Sequence, residues 1–152
     1  MSHRTPALLV LSLALLAAPR TSRADVGLGL FLGQPTGIDL KLGLGPRTGL
    51  DILGGVHDYN GGSDYFHVTY LVTLGVAHGD SVIVPFRLGI GGALIDSGSF
   101  GDNLHVAARA PLEVALRFRA PIEIYGEISA ILVFEHDPTI DLDGGIGFRV
   151  YF

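Results

Sequence analysis

The chain has 152 residues, 22 of them glycine, with no cysteine, no tryptophan and a formal net charge of −5. That length fits one domain, and the charged fraction of 16% is low against roughly 25% in ordinary soluble proteins. With 48% hydrophobic residues and no cysteine, disordered and disulfide-stapled classes are excluded, and the acidic balance argues against nucleic acid, whose phosphates need cations.

In chain order, Arg4 comes first as a short positive region, followed by the apolar run Ala7 to Ala18, closed by Pro19, and by Ser22-Arg23-Ala24 with small residues at −3 and −1. This pattern predicts a secretory signal peptide over residues 1–24, cut after Ala24. The run is too short for a membrane-spanning helix, which needs about 20 apolar residues. Three of the ten basic residues lie in this segment, so residues 25–152 carry seven basic against 15 acidic groups. Those residues are expected to form the single folded domain, and without cysteine its stability must come from a good core or from lipid around it.

From Val26 onward the periodicity is 2, which predicts strands and no helix. The predicted strands run Val26 to Leu32, Ile38 to Leu44, Leu50 to Val56, Phe66 to Leu74, Val82 to Ile90, Leu104 to Phe118, Ile122 to Phe134 and Ile140 to Phe152. The sixth is the clearest: Leu104, Val106, Ala108, Ala110, Leu112, Val114, Leu116 and Phe118 share one face, while His105, Arg109, Glu113 and Arg117 share the other. Turn residues separate the strands at Gly33–Thr36, Gly45–Arg47, Asp58–Asp64, His78–Ser81, Asp96–Asn103, Arg119–Pro121 and Glu135–Pro138. Connections this short join antiparallel neighbours, so the expected fold is an all-β, eight-stranded antiparallel up-and-down barrel. Pro111 removes a ladder donor in mid-strand and implies a bulge or a gap in pairing there.

Period 2 alone leaves open which face points inward. The polar face is sparse and rich in glycine (Gly27, Gly29, Gly43, Gly89, Gly91, Gly145, Gly147), which suits a crowded interior better than a water-facing exterior. The apolar face is continuous, and the strands approach the 9 to 11 residues that cross a hydrocarbon layer. A transmembrane barrel is therefore expected, with the longer loops on the outside and the tight turns in the periplasm. The alternative is a periplasmic lipocalin-like ligand-binding barrel, with Leu112 and Ile146 lining a cavity.

The C-terminal run GGIGFRVYF, with Phe148, Val150 and Phe152 alternating to the end, resembles the terminal-strand signal by which outer-membrane barrels are recognised for insertion. Together with GLGLFLGQPTGIDLKLGL at 27–44 and the stretch from His105 to Phe152, it resembles an uncharacterised family of small outer-membrane proteins of Gram-negative bacteria with an OmpX/OmpA-like barrel. The resemblance implies a fold and an outer-membrane location. It implies as partners the membrane lipid and lipopolysaccharide, and the barrel-assembly machinery acting on the terminal strand; no enzymatic activity follows from it.

With the polar face inward, Lys41, Arg87, Arg109, Arg117 and Arg149 are expected beside Asp39, Asp51, Glu113, Glu123, Glu127, Asp141 and Asp143. Buried charges persist when paired, so an interior network of Arg87, Arg109, Glu113, Arg117, Glu123, Glu127 and Arg149 is predicted. The Arg119–Pro121 turn sets Arg117 opposite Glu123 and Glu113 opposite Glu127, and the last hairpin is expected to set Arg149 opposite Tyr125. Eight strands leave a lumen filled by side chains, which makes the network a plug; a narrow pore is the sharper and less favoured alternative. No catalytic residues, cofactor or metal site are expected. Ser129, His67 and His105 face inward and no lipid-facing Ser/His pair is apparent, which makes a lipid-modifying enzyme, a deacylase or acyltransferase, a less favoured alternative. The five histidines after Ala24 lack ligand spacing, and Asp141-Leu142-Asp143-Gly144 matches only part of a calcium loop. Asp58, Asp64, Asp96, Asp102 and Asp137 are expected as solvated carboxylates of the outer loops. A monomer with a structural or surface-interaction role is the expectation.

Overall fold

A strand with one apolar and one polar face must bury or cover the first and satisfy the second, and it has unpaired backbone groups along both edges. In a computed structural model that describes residues 25–58, 62–98 and 103–152, these demands are met by closing the sheet on itself. The strands are β1 (Val26–Gln34), β2 (Thr36–Gly45), β3 (Thr48–His57), β4 (Ser63–His78), β5 (Val82–Asp96), β6 (Leu104–Phe118), β7 (Ile122–Phe134) and β8 (Thr139–Tyr151). Each pairs antiparallel with the next, and β8 returns to β1 from Gly27 opposite Tyr151 to Gln34 opposite Gly144. The predicted signal segment and the tips of the Asp58–Asp64 and Asp96–Asn103 loops lie outside the described residues.

Every predicted strand is present, but β4 and β5 are longer than their alternation suggested. Gly91 and Gly92, poor strand formers by propensity, are held opposite Thr69 and Val68 because the neighbouring strand supplies the hydrogen bonds. At Gly91 a β-carbon would lie 2.3 Å from the Val68 carbonyl oxygen, so the close backbone approach requires glycine. The extension carries Asp64 and Asp96 out of the loop and into the ladder, where they face each other across β4 and β5. Asp96 is buried and accepts the Gly98 N–H at 3.3 Å, which corrects its expected place as a solvated loop carboxylate.

The prolines leave their mark on one interface. Between β5 and β6 the register is constant, yet pairing lapses from Val84 to Pro85 and again from Gly89 to Ile90, opposite Ala110 and Pro111. Pro85 and Pro111 lack the N–H that those rungs need, and the result is a gap with no bulge. The Pro111 ring fills space beside Gly89, where its Cγ lies 2.9 Å from the place of a β-carbon. Bulges do occur where the tight turns begin, between Gly43 and Gly45 and between Thr73 and Gly75.

The barrel decides the question of faces. Ile90, Ile128, Ile140 and Ile146 are 65–73% exposed on the outside, whereas Arg149, Glu113 and Glu123 are fully enclosed. Leu112 and Ile146 point outward, contrary to the lipocalin-like alternative. The interior also holds Phe31, Leu53, Ile95, Ile131 and Val133, mostly toward the end of the barrel that carries the longer loops.

Candidate functional site

Inward positions on neighbouring strands lie side by side across each rung, so strand register determines which charges meet. Glu113 faces Arg87 across β5 and Glu127 across β7, and Glu123 faces Arg117 across β6 and Arg149 across β8. The last of these pairings corrects the expected one. Each β8 residue pairs two positions earlier on β7 than the sequence spacing suggested, with Thr139 opposite Val133. Arg149 is thus opposite Glu123, and Tyr125 is opposite Gly147.

Arg149 stands at the centre. Its Nε donates to Asp39 at 2.5 Å, Nη2 to Asp51 at 2.6 Å, and Nη1 to Glu113 and Glu123 at 2.9 and 3.1 Å. One guanidinium thereby meets four carboxylates from four strands, using the planar fork that a lysine lacks. Its carbon also lies 3.6 Å from the centroid of the Tyr125 ring, whose hydroxyl donates to Asp39 at 2.5 Å. Arg87 donates to both Glu113 and Glu123, Lys41 reaches Glu113 at 3.3 Å, and Tyr151 donates to Glu123 at 2.9 Å.

A second knot lies nearer the long loops. Arg109 donates to Glu127 and to Thr69 at 3.2 Å, and its Nη1 lies against the His67 ring, 2.6 Å from Nδ1 and 2.5 Å from Nε2. The Nε2 of His67 also lies 3.2 Å from Asp51, so the ring joins the two knots. Above it His57 donates to Asp143 at 2.9 Å and stacks on Tyr65 with centroids 5.3 Å apart.

Of the sequence-predicted lumen residues, Arg87, Arg109, Glu113, Glu123, Glu127 and Arg149 are enclosed. Arg117 sits at the mouth near the tight turns, half-buried, bonded to Asp25 at 3.0 Å and 4.2 Å over the Tyr151 ring. That mouth opens on a cavity of about 150 Å3 lined by Lys41, Arg47, Arg87 and Arg117 among others. Asp143 is inside, but Asp141 is exposed beyond the rim, where its carboxylate accepts the Leu142 N–H. Ser129 is enclosed and, among the described residues, its hydroxyl reaches the Ala130 carbonyl at 3.4 Å. Phe148 and Phe152 face outward on β8 and the chain end.

The predicted network left out its aromatic and histidine partners, although Tyr125 was expected beside Arg149. Tyr125, Tyr151, His57 and His67 all sit on inward positions, so the parity that located the charges was available for them too. What no parity supplies is depth: which inward residues share a level depends on the slant of the strands around the barrel.

Among known proteins, no family model and no curated protein matches the chain. Among solved structures, the crystal structure of the N-terminal β-barrel domain of Pseudomonas aeruginosa OprF superposes with a TM-score of 0.65 at 12% identity, covering 87% of this chain and all of that one. At that identity the likeness is one of fold: the chain is an eight-stranded closed antiparallel barrel of the kind seen in the OprF N-terminal domain.

Proposed function

We propose that the chain is a small integral β-barrel protein of the bacterial outer membrane, with a structural or surface-interaction role and a lumen plugged by its ion-paired network. The observation that carries this reading is the inverted distribution of polarity. Among the described residues thirty-one large hydrophobic side chains are exposed on all eight strands or at their ends, while Arg87, Arg109, Arg149 and their carboxylates are enclosed. An apolar surface of that extent in water is far beyond the few hundred Å2 that soluble monomers tolerate. In lipid it is the expected lining, and a polar interior goes with it. The closed eight-stranded fold shared with the OprF N-terminal barrel is compatible with this reading.

The two ends of the barrel differ as an outer-membrane orientation requires. The β2–β3, β4–β5 and β6–β7 connections are two or three residues long, whereas β3–β4, β5–β6 and β7–β8 are joined by four to seven, with β1–β2 the short exception. The tight turns and both ends of the domain go to the periplasm, and the longer loops go to the lipopolysaccharide side. Export by the 1–24 segment and recognition of Phe148, Val150 and Phe152 by the assembly machinery complete the proposal. Deleting Phe152 is expected to lower the outer-membrane fraction in cells while leaving refolding into detergent intact.

Fractionation of expressing cells, followed by electrophoresis of the outer membrane with and without boiling, tests the whole reading. The expected result is a band in that fraction whose unboiled form migrates differently. Soluble periplasmic protein with no heat shift would overturn it.

A further inference from the structure

At the loop end of the barrel, three adjacent strands bring a serine, a histidine and a glutamate into line. Ile95 of β5 lies opposite His105 of β6, and Ser97 follows two residues later on the same inward parity. On the other side Val106 lies opposite Phe134 of β7, so the next rung sets His105 against Glu135. The register therefore forces the three side chains together at the rim. Ser97 Oγ is 3.4 Å from His105 Nε2, and His105 Nδ1 is 3.1 Å from Glu135 Oε1.

We propose that Ser97, His105 and Glu135 form a nucleophile, base and positioning group for hydrolysis of carboxylic esters at the barrel mouth. The order of atoms is the one such chemistry needs. A hydroxyl faces one ring nitrogen, and a carboxylate on the other nitrogen holds the tautomer that leaves the first free to accept a proton. The hydroxyl distance is at the long end of hydrogen bonding, as is common before substrate arrives. His105 and Glu135 side chains are 24% and 31% exposed, so an ester can reach them from outside.

In the first step Ser97 Oγ bonds the acyl carbon while its proton passes to His105 Nε2. The ester C–O bond then breaks, and the leaving alcohol takes that proton. Water adds to the acyl-serine through the same histidine, the bond to Ser97 breaks, and a carboxylic acid leaves with the serine hydroxyl restored. Leu94, Leu104, Val106 and Phe134 are exposed on the outer face of the same three strands, which points to an ester with an apolar acyl chain, drawn from an amphiphile at the bilayer surface. That choice of substrate rests on the membrane reading; the ester chemistry does not.

The test uses the folded barrel in detergent micelles with a fluorophosphonate probe and p-nitrophenyl esters of butyrate and decanoate. Labelling of Ser97, found by peptide mass spectrometry, and hydrolysis that falls at least about 100-fold in Ser97→Ala and His105→Ala are expected. Both variants should keep the wild-type heat shift, since they alter only the rim. Glu135→Gln should lower kcat with KM unchanged, and Glu135→Asp should recover part of it. Decanoate is expected to outpace butyrate, and the reverse preference would overturn the amphiphile. A folded wild-type barrel that takes no label and hydrolyses no faster than Ser97→Ala would overturn the activity, leaving a rim hydrogen-bond cluster. Loss of the heat shift in wild type bears on the membrane reading alone.

Discussion

Arg149 is the residue on which the interior depends most. Four carboxylates from β2, β3, β6 and β7 converge on its guanidinium, and none is open to water. Removing one partner of a buried pair strands the charge of the other, at about 3–5 kcal/mol in typical cases. Arg149→Met should therefore destabilise the barrel by at least that range, read from urea unfolding in lipid vesicles. Arg149→Lys should recover only part, because a point charge replaces a fork. On the opposite face the cost has a different origin. Leu112 is half-exposed near mid-strand, and Leu112→Arg should cost about 2–4 kcal/mol if that face meets the bilayer midplane. A soluble barrel would instead tolerate a charge there, so unimpaired folding of Leu112→Arg in lipid would count against the membrane reading.

Individual strands show why certain glycines sit where they do. Tyr125 of β7 lies flat over Gly147 of β8, its cross-strand partner, and a β-carbon on Gly147 would meet the ring at 2.1 Å. The ring must stay there to donate to Asp39 and to lie under Arg149. Gly147→Ala should thus cost about 1–3 kcal/mol through overpacking, and most of that should vanish in a Tyr125→Ala background. The same unfolding measurement on all four members of the cycle decides it. A penalty that persists without the ring would mean that the backbone approach, and not Tyr125, demands glycine. The strand pattern was legible in the sequence because alternation is strict, whereas strand ends were not: Gly91, Gly92, Asp64 and Asp96 carry turn-like identities and are held straight by neighbours. The prolines were legible as a defect, and only the sheet showed which interface absorbs it.

For the whole molecule, the central consequence of closure is a lumen crowded with side chains. Phe31, Leu53, Ile131 and Val133 fill the space around the two charge knots, and Arg109 and Arg149 cross it with almost no exposure. Purified barrel in planar bilayers should therefore add no steady ion conductance, whereas stepwise openings in wild type would favour a pore. Replacing the central guanidinium widens the path but leaves unpaired carboxylates, so any conductance in Arg149→Met should select cations.

The sequence by itself determined the class of fold, the number of strands and the parity of nearly every side chain, because a period of 2 is local and the turns announce themselves. It located Arg87, Arg109, Glu113, Glu123, Glu127 and Arg149 on one face, and the tight Arg119–Pro121 turn even set Arg117 against Glu123. Tertiary structure decided what alternation leaves symmetric: which face is enclosed, how far each strand runs, and which inward residues share a level. Arg149 meets Asp39 and Asp51 from strands 110 and 98 residues away in the chain. Ser97, His105 and Glu135 likewise come into line through registers on two different interfaces. Such meetings depend on shear and closure, which arise only when β8 pairs with β1 and the slant of the strands is set for the barrel as a whole.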